Sequence, residues 1–186
     1  MAVPSKYIQS VVKAAKGRPK STDWYRDKIR EFGTPKALDL IRDGKQATRP
    51  FFGRLNMFFY DPKLKKKLPY YDTFPLVLPL ERYNDGFLGL NFHYLPIPLR
   101  VRLLDKINTI PEDNQYNDGE QLRINYARAR TIPMAKAVIK RYLYGHLKSQ
   151  IRVVTPDEWV IAVLLPVQRF KKASTSKVYN ETKKMF

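Results

Sequence analysis

The chain has 186 residues, 44% of them hydrophobic, and 35 Lys and Arg against 17 Asp and Glu leave a formal charge of +18. That length suits one domain with a short extension, and the charge points to a polyanionic partner. The absence of cysteine excludes disulfides, thiolate chemistry and sulfur-ligated zinc.

No window approaches the ~18 continuous apolar residues of a membrane span, and the N-terminus lacks the apolar core of a signal peptide. The chain is therefore expected to avoid membranes and to work inside a cell or a particle assembled there. The charge is spread: residues 1–50 hold twelve basic and five acidic side chains, 51–110 nine and five, and 111–186 fourteen and seven. A spread field suits a protein set among phosphates on several sides, or one touching nucleic acid and an acidic partner together.

In chain order, Tyr7, Ile8, Val11, Val12 and Ala15 form the apolar stripe of a helix over residues 5–16 capped by Ser5, equally consistent with a packed element and a basic arm. Thr22 or Asp23 is placed to cap a second helix over 24–32, stopped by Gly33. Pro35 opens a third, to about Arg42. From Phe51 the period becomes that of strands: residues 54–60, 76–83 and 87–94, the last two joined by the hairpin turn Asn84-Asp85-Gly86. Pro75 and Pro79 lack amide donors, so their strand is expected at a sheet edge or with a bulge. Between the first two strands, residues 63–67 form a basic loop.

Pro98 starts a helix to Asn108, with Val101, Leu104 and Ile107 on one side and Arg100, Arg102 and Lys106 turned outward. Residues 109–120 read as a polar loop, 121–129 as a helix, and 133–144 as a helix opened by Pro133. Thr155-Pro156-Asp157-Glu158 is a capping-box pattern, but the β-branched run after it predicts one helical turn and then a buried strand over 160–165. The residues from Lys171 onward are expected to be extended. The fold class is α+β: a small antiparallel β-barrel or sheet, SH3-like in strand length, with helical additions at the N-terminus and in the C-terminal half. The organisation follows as a helical extension over 1–50, a central module over 51–170 and a basic tail over 171–186.

Catalytic constellations are hard to assemble. His93 lies in an apolar strand and His146 follows a helix, neither at a spacing that supports a metal site or a nucleophile–base pair. Asp61, Asp72 and Asp85 would hold a divalent cation for phosphodiester cleavage only if the fold gathered them; otherwise they are turn aspartates. No enzyme, cofactor or metal ligand set is expected. The binding signal is stronger. Lys63, Lys65, Lys66 and Lys67 crowd one loop, read either as a solvated loop guarding a sheet edge or as a phosphate contact. Arg123, Arg128, Arg130, Lys136, Lys140 and Arg141 form a second strip, and Lys171 and Lys172, followed by Lys177, Lys183 and Lys184, a third. Tyrosines at 60, 70, 71, 83 and 94 interleave with these charges, a mixture shared by single-strand stacking surfaces and barrel cores.

Four segments in the middle of the chain carry a resemblance: Tyr60-Asp61-Pro62-Lys63, Leu68-Pro69-Tyr70-Tyr71-Asp72, Pro75-Leu76-Val77, and Gly89-Leu90-Asn91-Phe92-His93-Tyr94-Leu95 with Arg100 and Leu103-Leu104-Asp105 after it. With Glu158-Trp159, Leu165-Pro166 and Arg169-Phe170 they make residues 51–172 resemble the virion structural proteins of T-even-like tailed phages, of the DNA-end protector or head-completion type; the first fifty residues fall outside the matching block. The resemblance implies a non-enzymatic virion protein, at the portal, neck or tail axis, in a symmetric assembly with other virion proteins and bound to double-stranded DNA without sequence preference. A baseplate or connector subunit that grips acidic partners, and a small metal-dependent nuclease, stay open as alternatives.

Overall fold

The computed structural model describes residues 6–18, 20–108, 122 and 124–186. Helix α1 (Tyr7–Ala14) buries Tyr7, Ile8 and Val11, so it is a packed element; Ser5, the expected cap, lies outside the described residues. Helix α2 (Thr22–Phe32) is capped one residue earlier than expected, Ser21 Oγ accepting from the Trp24 amide at 3.2 Å. Gly33 ends it at φ 78°, a left-handed angle that glycine adopts without strain. Helix α3 (Ala37–Arg42) follows.

Strands β1 (Lys45–Ala47), β2 (Leu55–Met57), β4 (Leu76–Arg82), β5 (Gly86–Asn91), β6 (Ile139–Leu143) and β7 (Ile151–Val154) form an antiparallel sheet in the order β1-β7-β2-β4-β5-β6. A second, two-stranded sheet pairs β3 (Tyr71–Asp72) with β8 (Phe170–Lys171). The edges of the large sheet, β1 and β6, do not meet, so of the two expected forms, barrel or sheet, it is the open sheet. The turn at Asn84-Asp85-Gly86 joins β4 to β5 as expected. β4 lies inside the sheet, and the bulge between Pro79 and Glu81 accommodates the missing proline donor. After β5, residues 92–94 turn into a short 3₁₀ segment in place of further strand.

Register sets the two faces. Leu55, Met57, Leu76, Leu78 and Leu90 point to a main core shared with α1, with α4 (Ile97–Asn108), α7 (Trp159–Leu164) and α8 (Thr175–Lys183). Phe58, Tyr60, Val77, Phe87, Tyr142 and Ile151 form a smaller aromatic core on the other face, where Phe58 and Tyr142 meet edge to face at 5.4 Å.

Four further expectations change. The segment expected to be a helix over 133–144 is a short helix α6 (Pro133–Ala137) followed by strand β6, because pairing with β5 buries Tyr142 against Phe87, ring centroids 5.3 Å apart. α5 (Tyr126–Ala129) is shorter than the helix read there; Gln121 and Arg123, like the loop at 109–120, lie outside the described residues. The β-branched run after Thr155 is helix α7, apolar nearly all round because both of its sides are buried. The C-terminal residues are not extended: Ser174 caps α8 and Val178 is buried.

Arg100, expected to face outward, is fully buried. Its guanidinium donates to the carbonyls of Leu95 (2.8 Å), Val163 (3.5 Å) and Leu165 (3.0 Å), to Gln168 Oε1 (2.8 Å) and to Tyr179 Oη (2.8 Å). One side chain therefore joins α4, the end of α7 and α8, its charge spread over five acceptors.

Candidate nucleic-acid interface

The lysine loop is built on turns. Lys65 donates its amide to the Pro62 carbonyl (3.2 Å), and Lys67 (2.9 Å) and Leu68 (3.1 Å) to that of Leu64. This tight winding leaves residues 63–67 exposed, Leu64 among them. Asp61 fixes the entrance: its amide donates to the His146 carbonyl at 3.1 Å, and its carboxylate takes the Lys65 ammonium at 2.8 Å through both oxygens. That hydrogen bond lowers the Asp61 carboxyl below its ordinary range and raises Lys65.

The C-terminal segment closes the exit. Lys172, at φ 69°, donates its ammonium to the carbonyls of Lys66 (3.0 Å) and Leu68 (2.8 Å), while Tyr71 and Lys171 are register partners in the β3–β8 ladder. Lys172 is thus fixed against the lysine loop, and Lys171 is held next to it in the β3–β8 ladder.

A cleft of about 480 Å³ opens beside this loop. Its walls include Lys63 and Leu64 from the loop, Tyr70 just before β3 and Tyr71 within it, Tyr94, Lys140, Arg141 and Tyr142 from β6, and Met185. The Lys140 ammonium sits 4.3 Å from the centroid of the Tyr94 ring. Among the described residues no carboxylate or other acceptor meets that ammonium, and burial pulls its pKa down. Arg141 is differently placed: its guanidinium binds Asp85 and covers the Tyr83 ring at 4.0 Å. Burial raises the hydroxyls of Tyr60, Tyr94 and Tyr142, and that of Tyr70, which Glu181 raises further.

Asp72 forms part of the cleft floor, yet it is spent on the fold. One carboxylate oxygen accepts the amides of Phe74 (2.9 Å) and Arg169 (3.1 Å), the other the Asn91 amide group (3.3 Å) and the His93 ring at Nδ1 (3.0 Å). Burial alone would raise this carboxyl; His93 and the two backbone amides outweigh it and hold it below its ordinary range. His93 is itself pushed down by burial, against the pull of Asp72. The three aspartates are thus separated, Asp61 on Lys65, Asp72 on His93 and Asp85 on Arg141. Among the described residues no three His, Cys, Asp or Glu side chains stand close enough to hold a metal ion.

Parts of three strips far apart in sequence therefore converge: the lysine loop, Lys140 with Arg141, and Lys171 with Lys172. Arg128, Arg130 and Lys136, on and beside α5 and α6, are exposed and do not line the cleft, and Arg123 lies outside the described residues. Tyr142, Leu64 and Met185 were not singled out beforehand; the alternation Lys140-Arg141-Tyr142 is the sequence signal that a strand reading would have used.

Fold and site define a mixed helix-and-strand protein with an open antiparallel sheet and an aromatic cleft rimmed by cations. Residues 5–185 match the family model for the phage T4 terminal DNA protecting protein, and the chain belongs to that family. The match takes in residues 5–50, which the resemblance leaves out. No curated protein and no solved structure matches the chain.

Proposed function

We propose that this chain is a non-enzymatic structural protein of a tailed-phage virion that covers the ends of the packaged DNA, binding them through phosphate contacts without sequence readout. The observation that carries this reading is one cleft lined by cations from two distant segments, Lys63 of the loop and Lys140 with Arg141 of β6, beside a loop that Lys172 fastens, in a member of a family named for protecting terminal DNA. Lys63, Lys66, Lys67 and Lys171 face solvent beside the cleft and suit phosphate oxygens, whereas Lys65 and Lys172 are engaged in holding the loop's shape. Arg128, Arg130 and Lys136 extend the positive surface for the adjoining duplex. A place at the portal, neck or tail axis, in a symmetric assembly with other virion proteins, fits a protein that meets the DNA terminus after packaging.

The test is a blunt-ended linear duplex challenged with an exonuclease in the presence of excess protein. The duplex should stay intact, and affinity should fall steeply between ~0.05 and ~0.2 M salt, because each neutralised phosphate releases counterions. Ends digested at the same rate with and without protein, or affinity equal at both salt concentrations, would overturn the reading.

A further inference from the structure

Lys140 is a cation in an unusual position. It stands half-buried on the edge strand β6, beside an aromatic ring and without a counter-charge among the described residues, in a cleft lined by one described carboxylate, Asp72, whose oxygens are both occupied. Keeping a partly desolvated ammonium without such a partner costs stability, so a site that keeps one is matched to an anion brought from outside. Arg141 does not answer the same need, since Asp85 already neutralises it.

The cleft also limits what that anion is attached to. Its ~480 Å³ falls in the ~300–1,000 Å³ range of small-ligand pockets, far too little for a double helix. The half-buried rings of Tyr70 and Tyr71 offer stacking surface next to the cation, and Leu64 and Met185 supply apolar contact at the mouth. An aromatic wall beside an unpaired ammonium is matched to one nucleotide at a strand end. A terminal phosphomonoester carries about −1.5 to −2 charges at pH 7, more than an internal phosphodiester, and at a strand end it is free to enter a cleft too small for the duplex.

We propose that this cleft receives the terminal nucleotide of a DNA strand, its phosphomonoester on Lys140 and Lys63 and its base against Tyr70 or Tyr71. The proposal rests on the end-covering reading above and adds the chemical group recognised. Lys140 is then the residue that distinguishes a phosphorylated end from a hydroxyl end, while the exposed lysines hold the duplex behind it.

The experiment compares the full-length protein on three duplexes of one sequence: phosphate-ended, hydroxyl-ended, and closed by hairpins at both ends. Fluorescence anisotropy should show phosphate ends bound about tenfold or more tightly than hydroxyl ends, the effect of a strong charge-assisted contact. Lys140→Gln should abolish that preference, so that phosphate-ended and hydroxyl-ended duplexes bind alike. Thymidine monophosphate, but not thymidine, should compete for the phosphate-ended duplex, a readout on the unaltered protein that needs no variant to fold. Equal affinity for phosphate and hydroxyl ends, with both above the closed duplex, would overturn the inference and spare the end-covering reading. Equal affinity for all three would overturn both.

Discussion

Asp72 and His93 show how a pair that looks catalytic can be consumed by architecture. His93 follows β5, Asp72 lies in β3, and the carboxylate also ties down the backbone at Phe74 and Arg169. The consequence is a pH dependence whose sign is fixed. Burial lowers the His93 pKa in the folded chain, so below ~6.5 the unfolded chain takes up a proton that the folded one resists, and stability falls. The folded pKa of Asp72 is lowered as well, so its share of stability is held above ~3.9 and lost only at lower pH. The thermal midpoint should therefore decline between pH 7 and pH 5, and His93→Gln should flatten that leg. A midpoint constant from pH 7 to pH 5 in the unaltered protein would contradict this account of the pair.

At the scale of elements, Glu158 is the joint that attaches α1 to the sheet. One of its oxygens accepts from Gln9 on α1 (2.8 Å) and from the Arg152 guanidinium on β7 (2.9 Å), and the other from the Thr155 amide at the start of the capping turn (3.0 Å). Arg152 and Glu158 are both buried, and a Cβ at Gly44 would run into the Arg152 guanidinium, so that arginine packs directly against the Gly44 backbone. Glu158→Gln keeps the shape but strands the arginine's charge; it should cost about 3 kcal/mol or more in chemical denaturation. Adding Arg152→Met should restore part of the loss, and full additivity of the two substitutions would refute the coupling. This joint was half legible: the capping pattern at residues 155–158 is local and was readable, but its ties to Gln9 and Arg152 depend on the assembled fold. The same divide runs through the rest. The β4–β5 turn follows from Asn84-Asp85-Gly86 because backbone geometry there is decided by adjacent residues. β6 and α7 were misread because their state is decided by β5 and by the core, which override β-branching and helix signals alike. The lysine loop was visible as composition, whereas its closure by Lys172, 106 residues from Lys66, and its apposition to Lys140 are products of strand pairing.

For the molecule as a whole, the positions of the two ends matter most. Tyr7, Ile8 and Val11 near one end and Val178 near the other are buried in the same apolar cluster, and Tyr179 of α8 reaches the buried Arg100 of α4. Helices α1 and α8 are therefore both part of the main core, and packing them there offsets the mutual repulsion of cations in a +18 molecule. Unfolding should then be a single event, because no terminal element can leave without exposing apolar surface shared with the sheet. Trp24 on α2 and Trp159 on α7 report on the two halves separately: Trp24→Phe leaves Trp159 as the one fluorophore of its kind, and Trp159→Phe leaves Trp24. Within each variant, urea denaturation followed by tryptophan emission should superpose on that followed by far-ultraviolet circular dichroism. An emission change in the Trp159→Phe protein at lower urea than the loss of ellipticity would mean that the N-terminal helices detach first. The cleft would then rest on residues 51–186 alone.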